Sequence, residues 1–497
     1  MTSFFRYFTS HKLPSKETIR TLLRRPLSWY AVVLYILFIS IAMLLYATII
    51  SINNQFLTTI PARGGTVVEG IIGAPRLINP VLASTETDTS LTKLLYSGLM
   101  RETNADEIES DLAEDVAISP DGLTYTFILK DDLKWSDGKE ITSADVMFTY
   151  NKRALFESNS YWQQVAISTP DPKTILFTIP SPRSDFLRQT TLGIIPMHIW
   201  SSIPDEEFEN TPQNLSPVGS GPFSFVRLIE KNGIAKEIVL KRNRHYALTK
   251  SYIDRYRIVF FANQTELGSA IKNNDITMTA SANSETAYRF GNSYVIDTIA
   301  SSTLVSLFEL KNAKLFSDAT LTVLNSAVDK QYILDTIEYG YGILPNTAHL
   351  SLEETRTALH ALGFNTRADG TLEKNGTSIG FSVAVENDPT VLATAYAFAR
   401  ALNDIGISIT IKAFDPGTFQ DVINRNEYQF IFGRMKREEI PTSYNPIITL
   451  YTSAYPLIHA PKLQVPTPSE LSEPTDRYRE SNEWYIRTND VWKLFTK

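Results

Sequence analysis

The stretch DGLTYTFILKDDLKWSDGKEITSADVMFTY, residues 121–150, carries the local signals that decide the fold. Apolar and polar side chains alternate along residues 123–129, as they do in a β-strand with one buried face. A Ser-Asp-Gly turn at residues 136–138 follows, and the two together predict a β-hairpin. Thr142 stands three residues before Asp145, a spacing that predicts the start of an amphipathic helix.

A second region, residues 351–432, has a different rhythm. Ser351 and Glu354 form a capping box for a helix that ends at Gly363. The segments after it predict the order strand, helix, strand, helix, strand, which is typical of an α/β lobe. These segments are residues 379–385, 390–405, 407–412, 417–424 and 428–432. Isoleucine alternates with polar residues along 407–412, which predicts a half-exposed strand rather than a central parallel one.

Four stretches, in the same order along the chain, resemble the family 5 extracytoplasmic solute-binding proteins. These are the oligopeptide, dipeptide and nickel receptors of ATP-binding-cassette (ABC) importers. The matching stretches are LINPVLASTETDTSLTKLLYSGLM (77–100), residues 121–150, IIPMHIW (194–200), and VGSGPFSF (218–225) followed by LKRNRHY (240–246). The resemblance covers about residues 66–432 and returns more weakly near 447–492.

The resemblance implies an α/β, two-lobe clamshell of the periplasmic-binding-protein type (class II, large three-subdomain form). Lobe I would comprise residues 66–300, with residues 437–497 returning to it, and lobe II residues 301–436. The ligand would lie between the lobes, which would close by a hinge motion at crossings near residues 298–304 and 433–441.

The resemblance also implies candidate ligand contacts. Asn79, Pro80 and Val81 match the loop that approaches the cleft in the family, and Tyr161 and Trp162 fall near an aromatic residue that commonly lines it. A core position is the alternative for each aromatic residue, because Trp is more often core than ligand wall.

Peptide receptors of the family usually carry an aspartate that pairs with the peptide amine after the equivalent of Gly433. Here the chain continues with Arg434 in RMKREEIPTSYNP, residues 434–446, and no such aspartate is recognisable. Gly433 and Arg434, at the matching position, are candidate ligand contacts. Glu438 and Glu439 are the nearest carboxylates and could replace the aspartate, the alternative being a solvated charged turn. The chain is also shortened near residues 341–351, so the ligand class stays open.

The N-terminal region predicts a membrane anchor. No charged residue lies between Arg25 and Arg63, and residues 29–50 (WYAVVLYILFISIAMLLYATII) are almost wholly apolar. At ~1.5 Å per residue this helix would be about 33 Å long, enough to cross a bilayer. The basic segment 1–28 would lie in the cytoplasm, residues 51–65 would form a tether, and the remainder would lie outside the membrane. A cleaved signal peptide and a buried core helix are the alternatives.

Composition excludes several other classes. Among 497 residues there is no cysteine, which excludes disulfides, thiolate metal sites and lipid attachment to an N-terminal cysteine. The six histidines lack ligand spacing, no glycine-rich phosphate loop is present, and we expect no cofactor. The net charge of −7 combines +5 in residues 1–30 with −12 in the rest, so a nucleic-acid partner is not expected.

These observations predict a monomeric, membrane-anchored receptor that is not an enzyme, binds an oligopeptide and delivers it to an ABC permease. A nickel chelate or a sugar is an alternative ligand, and a degenerate sensor or scaffold an alternative role. The pattern Ser90-x-x-Lys93 on a helix could instead belong to an anchored serine transpeptidase-like enzyme. The Lys-Thr-Gly strand that such an enzyme needs is absent from the sequence.

Overall fold

The computed structural model describes residues 29–157, 161–312, 314–468, 470–471 and 473–492. The predicted cytoplasmic segment, residues 1–28, lies outside the described residues. The chain divides into two units, residues 1–60 with 488–497, and residues 61–487.

Helices and strands alternate along most of the chain. The helices are α1 (Trp29–Phe56), α2 (Glu86–Leu95), α3 (Ser143–Phe156), α4 (Phe186–Gln189), α5 (Met197–Trp200), α6 (Gln264–Lys272), α7 (Ser284–Phe290), α8 (Asp318–Ala327), α9 (Lys330–Ile337), α10 (Leu352–Ala361), α11 (Pro389–Asp404) and α12 (Pro416–Arg425). The strands are β1 (Leu57–Ala62), β2 (Thr66–Ile72), β3 (Met100–Glu102), β4 (Ile108–Ser110), β5 (Ala113–Ile118), β6 (Thr124–Leu129), β7 (Ala166–Asp171), β8 (Thr174–Thr178), β9 (Phe223–Lys231), β10 (Ile234–Arg242), β11 (Arg255–Phe261), β12 (Met278–Thr279), β13 (Val295–Leu310), β14 (Gly342–Ile343), β15 (Asn365–Thr366), β16 (Leu372–Lys374), β17 (Thr377–Ser378), β18 (Gly380–Glu386), β19 (Ser408–Phe414), β20 (Phe430–Lys436), β21 (Tyr444–His459), β22 (Glu470–Leu471) and β23 (Arg487–Trp492).

The first unit contains the long apolar helix α1. Residues Val32–Ser51 have a mean hydropathy of 2.6, and the large apolar side chains along this span are exposed. By length and composition this helix is long and apolar enough to cross a membrane. The helix continues to Phe56 and strand β1 follows it, so the expected tether at 51–65 is mostly regular structure. The reason is that neither glycine nor proline occurs between residue 51 and Pro61.

One sheet runs through the second unit. In the described part of the chain it has twelve strands, ordered β19-β18-β20-β13-β21-β12-β2-β11-β10-β9, with β14 on β21 and β22 on β13. Strands β13 and β21 are 16 residues each and pair antiparallel along most of their length. Strand β19 lies at the edge of the sheet with alternating burial, which confirms the half-exposed strand predicted near residues 407–412.

The hydrophobic cores divide this unit into two lobes. Ile299 belongs to a first-lobe core and Val305 to the second-lobe core, and on the return Tyr451 belongs to the second and Leu457 to the first. The register of β13 and β21 is interrupted between Ala300 and the next pair, which places a bend at this crossing. A third packing centre surrounds the separate antiparallel sheet β5-β6-β8-β7. This α/β arrangement confirms the predicted two-lobe class.

The second crossing lies later than expected. Residues 437–443 connect β20 to β21, and both of these strands pair with β13 inside the second lobe. The core residues show the chain returning to the first lobe between Tyr451 and Leu457, not at residue 437. A charged, proline-containing segment therefore crosses over β13 within one lobe and joins two strands that run in the same direction.

The predicted hairpin around residues 123–138 is wrong in its pairing. Strand β6 lies between β5 and β8, so both of its hydrogen-bonding edges are already occupied. The turn at 136–138 carries a single antiparallel bridge between Lys134 and Glu140. The helix that follows is as predicted: an Asp145 carboxylate oxygen accepts from the Thr142 backbone N–H at 2.9 Å, at the start of α3.

The segments predicted in the second lobe are confirmed as β18, α11, β19, α12 and β20. Their boundaries follow from local chemistry. Asp388 and Asp415 are N-caps that precede a proline at the first helical position, and the Ser351–Glu354 capping box opens α10.

Candidate functional site

In each lobe, the parallel strands run with their carboxyl ends toward the other lobe. Strand β12 is parallel to β2 and antiparallel to β21, and β21 is antiparallel to β13, so β2 and β12 run along β13 toward the second lobe. Strand β20 is antiparallel to β13 and parallel to β18, which is parallel to β19, so these three run toward the first lobe. In open α/β sheets, ligands bind outside the carboxyl ends of the strands. The gap between the lobes is therefore the candidate binding site.

A cavity of about 540 Å³, the interlobe cavity, lies in this gap. Its lining comes from both lobes and from the crossing strands. The first lobe contributes Ser284 and Glu285, the second lobe Glu338, Tyr339, Thr390 and Arg434, and β21 contributes Ser453 and Tyr455.

Glu338 is the central polar group of the interlobe cavity. Its side chain accepts hydrogen bonds from Arg434 Nη2 at 2.5 Å, from Tyr451 Oη at 3.2 Å and from Ser284 Oγ at 2.8 Å. Burial and the neighbouring Glu338 carboxylate raise the pKa of Tyr451 to about 12, so the phenol stays a neutral donor. Because these donors come from both lobes, Glu338 is a polar link across the gap.

Local backbone geometry places Glu338 there. Helix α9 ends at Ile337, and Tyr339 and Gly340 follow with φ angles of 52° and 84°. These left-handed residues turn the chain sharply after the helix. The turn leaves Glu338 8% exposed and places the Tyr339 ring 5.4 Å from the ring of Tyr288 in the first lobe.

A second cavity, of about 460 Å³, lies on the first lobe and is called here the first-lobe cavity. The loop after β2, helix α2, the end of α3 and the segment 188–193 form most of its wall, and Glu473 also lines it. Glu473 forms an ion pair at 3.5 Å with Lys436, which lies at the end of β20 in the second lobe. This ion pair is a further polar contact between the lobes.

Three cationic side chains line the first-lobe cavity: Lys93, Arg153 and Arg188. Arg153 is paired with Glu157 at 2.7 Å, and Arg188 is paired with Glu102. Lys93 has no hydrogen bond or ion pair with any residue that the structure describes. Of the three, Lys93 is therefore the cation without a partner among the described residues.

Several helices begin near the carboxyl ends of the strands, and in each of them an N-cap side chain already accepts a hydrogen bond from a backbone N–H group. Thr85, Asn263, Asn283, Asp388 and Asp415 are the N-caps of α2, α6, α7, α11 and α12, and each accepts a hydrogen bond from its own helix. Capped N-termini have fewer free N–H groups to offer to an anion. Anion recognition here would depend on side chains.

The other candidate ligand contacts, in the loop after β2 and at residues 161–162, lie in different environments. Asn79 is fully buried, and its Oδ1 accepts from the Val81 N–H at 3.0 Å, so it shapes the loop. Val81 lies in the first-lobe core. Pro80 lines the first-lobe cavity, and Trp162 lines it too although its ring is mostly buried in the third packing centre. Tyr161 packs under the Arg183 guanidinium, 4.4 Å from the ring centre.

The candidate residues at the end of β20 and after it also lie in different environments. Arg434 lines the interlobe cavity, whereas Gly433 is buried beside the Phe419 ring. Glu439 is exposed and forms an ion pair with Lys436 at 3.5 Å. The backbone of Glu438 lies in a short 3₁₀ turn, but its side chain lies outside the described residues.

Glu338 and Ser284 were not predicted from the sequence. Glu338 precedes Tyr-Gly-Tyr-Gly, a turn pattern that marks where α9 ends and could have drawn attention to the carboxylate beside it. Ser284 follows the N-cap Asn283, and its position shows no separate signal in the sequence.

The serine of the enzyme alternative is inaccessible. Ser90 is fully buried, and Arg477 Nη2 lies 3.4 Å from its Oγ. Lys93, one helical turn further on, lines the first-lobe cavity instead. Within the described residues no group of three His, Cys, Asp or Glu side chains could hold a metal ion.

Comparison with known proteins gives a consistent picture. Residues 107–455 match the model of the bacterial extracellular solute-binding proteins, family 5 Middle. The oligopeptide-binding protein AppA of Bacillus subtilis is 25% identical over 400 residues, which cover 74% of this chain and 73% of AppA. Its structure with a nonapeptide superposes with a TM-score of 0.56 at 18% identity, over 86% of this chain and all of that one. NikA of Brucella suis, in complex with Fe(III)-EDTA, gives a TM-score of 0.65 at 14% identity, over 85% of this chain and all of NikA.

Proposed function

The chain belongs to the bacterial extracellular solute-binding proteins of family 5, which are binding receptors rather than enzymes, and we propose that it captures oligopeptides for an ABC permease. The observation that carries this proposal is the interlobe cavity at the opposed carboxyl ends of two sets of parallel strands. The nonapeptide bound by the related AppA supports a peptide as the ligand class.

Capture would proceed by closure of the lobes around the peptide. We propose that the hinge lies where β13 and β21 pass from one lobe to the other, at residues 300–304 and 452–456. The pairing register of the two strands is interrupted there, and the hydrophobic cores of the two lobes lie on either side. A ligand that contacts both lobes binds the closed state more tightly and therefore shifts the population toward it.

The peptide would be held mostly through its backbone. The interlobe cavity presents hydroxyl, amide and backbone groups beside the Glu338–Arg434 pair, and such groups serve any peptide sequence. Specificity for one sequence is not expected, and hydrated side-chain pockets would accept many residue types.

We propose that α1 anchors the receptor in the plasma membrane, with residues 1–28 in the cytoplasm and the lobes outside. The absence of cysteine supports this, because a lipid on an N-terminal cysteine cannot be the tether. Alkaline carbonate extraction of membranes should leave the protein in the pellet. A mature N-terminus downstream of residue 50 would show instead that the helix is a cleaved signal.

The ligand proposal is tested by native mass spectrometry of the full chain in detergent. A mixture of synthetic peptides of two to nine residues should yield bound peptides, with Ni(L-His) and a mono- and disaccharide set as parallel arms. Retention of the nickel chelate or a sugar without any peptide would reassign the ligand class. Binding in none of the arms would favour the sensor or scaffold alternative.

A further inference from the structure

A cavity of about 670 Å³, called here the second-lobe groove, lies on the second lobe and is walled mainly by helices α9, α10 and α11. Much of its lining is apolar and includes Ile333, Ile337, Leu350, Leu352, Ala397 and Ala401. Small-molecule sites are cavities of about 300–1,000 Å³ with mostly apolar walls and a few polar groups. The second-lobe groove therefore has the size and the lining of a binding site.

Apolar side chains of the groove are open to solvent. Tyr332 on α9 is 61% exposed, and Leu352 at the start of α10 is 44% exposed. Ala393, Ala397 and Ala401 recur every fourth residue along α11, so they lie on one face of this helix, where small side chains leave room for a ligand. Exposed apolar surface along a concave wall is stabilised when an apolar group covers it.

The second-lobe groove adjoins the interlobe cavity. Thr336 and Ile337 at the end of α9 and Ala393 near the start of α11 line both cavities. Glu338, the central polar group of the interlobe cavity, directly follows Ile337, and Thr390 precedes Ala393 by one helical turn. A ligand that extends past these residues on the second lobe therefore enters the groove.

The two cavities differ in chemistry. Ser284, Glu338 and Arg434 make the interlobe cavity polar, whereas the groove is walled mostly by aliphatic side chains. The groove also contains Thr355, which is fully buried and whose Oγ1 has no hydrogen-bond partner among the described residues. An N–H group of a ligand would satisfy this oxygen. The pair of cavities suits a solute that is polar at one end and mainly apolar at the other.

We propose that the second-lobe groove binds apolar residues at one end of the peptide, whose remaining backbone lies in the interlobe cavity. The inference rests on the proposed function, and it adds a preference for apolar end residues without fixing a sequence. Because the groove is formed by residues 327–405, all in the second lobe, its contacts are the same in the open and the closed state. They raise affinity but do not drive closure.

The test compares three pentapeptide libraries with the same free termini on the full chain in detergent. The first has Leu or Phe at its two N-terminal positions, the second has them at its two C-terminal positions, and the third has Ser or Gln throughout. Wild-type protein should capture one of the apolar libraries about 10- to 100-fold better than the polar library, as expected when one large apolar side chain is buried. The preferred library assigns the direction in which the peptide lies.

Two variants alter the groove in opposite ways. Ala397→Gln places a longer polar side chain in the groove, and Leu352→Ser removes apolar surface from its wall, and each should reduce the preference for the apolar library at least threefold. Ala361→Gln is the matched control and should keep the preference, because Ala361 is an exposed alanine of the same lobe that does not line the groove. Leu352 is half-exposed, so Leu352→Ser should melt at the wild-type temperature even if Ala397→Gln does not.

Crosslinking gives an independent readout of position. A pentapeptide with photo-leucine at the preferred end should label α9, α10 or α11, and labelling confined to the first lobe would overturn the inference. Equal capture of the three libraries by wild-type protein, or an unchanged preference in Leu352→Ser and Ala397→Gln, would also overturn it while peptide binding stood. Capture of none of the libraries would contradict the proposed function itself, and the groove subsite with it.

Discussion

The buried ion pair between Glu69 and Arg477 makes the most direct prediction about stability. Glu69 is fully buried in β2, and Arg477 is 1% exposed in the C-terminal segment. Arg477 Nη2 and Nε lie 3.0 and 3.2 Å from Glu69 Oε1, and the hydroxyls of Tyr256 and Tyr478 each donate to Oε2 at 2.6 Å. Glu69→Gln keeps the shape of the side chain and removes the negative charge.

The expected cost is large because the remaining groups cannot compensate. Among the described residues, the other acid within reach of Arg477 is Glu86, at 3.6 Å and with 44% of its side chain exposed. Burial and the Glu69 carboxylate hold the pKa values of Tyr256 and Tyr478 well above 10, so both phenols remain donors. The amide of Gln offers one acceptor oxygen where the carboxylate offered two. Breaking a buried pair by removing one partner costs about 3–5 kcal/mol.

Urea unfolding followed by circular dichroism measures this loss. Glu69→Gln should lower the free energy of unfolding by about 3–5 kcal/mol, whereas Glu237→Gln, in the more exposed pair with Arg257, should cost less than about 1 kcal/mol. The double variant Glu69→Met, Arg477→Met should be less destabilised than the sum of its single variants, because no charge is left unpaired. A Glu69→Gln protein within 1 kcal/mol of wild type would refute the reasoning.

Three further outcomes are expected. Ser284→Ala removes the hydrogen bond that Ser284 of the first lobe donates to Glu338 of the second. Peptide affinity should therefore fall about 2- to 10-fold, with a faster off-rate in surface plasmon resonance, and Ser284→Thr should restore the affinity. An unchanged off-rate would contradict a role of this hydrogen bond in closure. Burial opposes charging of His459, but the hydrogen bond to Asp297, the charge of Asp297 and hydrogen bonds to the backbone together outweigh burial and raise the pKa of His459. This contribution to stability is present below about pH 6.5 and is lost as the pH rises through the folded-state pKa. The melting temperature of His459→Gln should depend less on pH between 6 and 8 than that of wild type, and parallel curves would count against the pair. Burial raises the pKa of Asp111 to about 6, so the folded state favours the protonated carboxyl, and this contribution to stability is lost as the pH rises from about 4 to 6. Over this interval Asp111→Asn should gain stability relative to wild type, by up to about 3 kcal/mol. A stability difference that stays constant with pH would disprove this prediction.

The order of elements in the second lobe was predictable because each signal there is local. Asp388 and Asp415 precede prolines at helix starts, and apolar residues alternate in the strands between them. The pairing of β6 was not predictable, because alternation identifies a strand but does not identify its neighbours. Its partners lie at residues 113–118 and 174–178, on either side in sequence.

Some candidate residues could be proposed from the sequence because they adjoin a recognisable motif. Pro80, Trp162 and Arg434 were proposed in this way; the structure brings the first two to the first-lobe cavity and Arg434 to the interlobe cavity. Glu338 and Arg434 are 96 residues apart and meet because β20 pairs with β13 beside the end of α9. Periodicity and capping describe neighbours along the chain, so a pair formed by tertiary packing leaves no such trace.

In the segment after β20, Glu439 belongs to a short series of ion pairs that reaches the first lobe. Glu439 pairs with Lys436, and Lys436 also reaches Glu473 in the first lobe. The Glu473 side chain is 53% exposed, so this bridge contributes about 0–1 kcal/mol. When the lobes separate, Lys436 keeps Glu439 as its counter-charge, and opening costs little at this point.

The same reasoning applied to Glu338 gives a different result, because Ser284 is its donor from the opposite lobe while Arg434 and Tyr451 belong to its own. Opening removes one neutral donor and leaves the carboxylate paired. Neither polar link therefore holds the lobes together strongly. It follows that the proposed closure would draw most of its free energy from contacts that a ligand makes with both lobes, as expected of a receptor that has to release its ligand again.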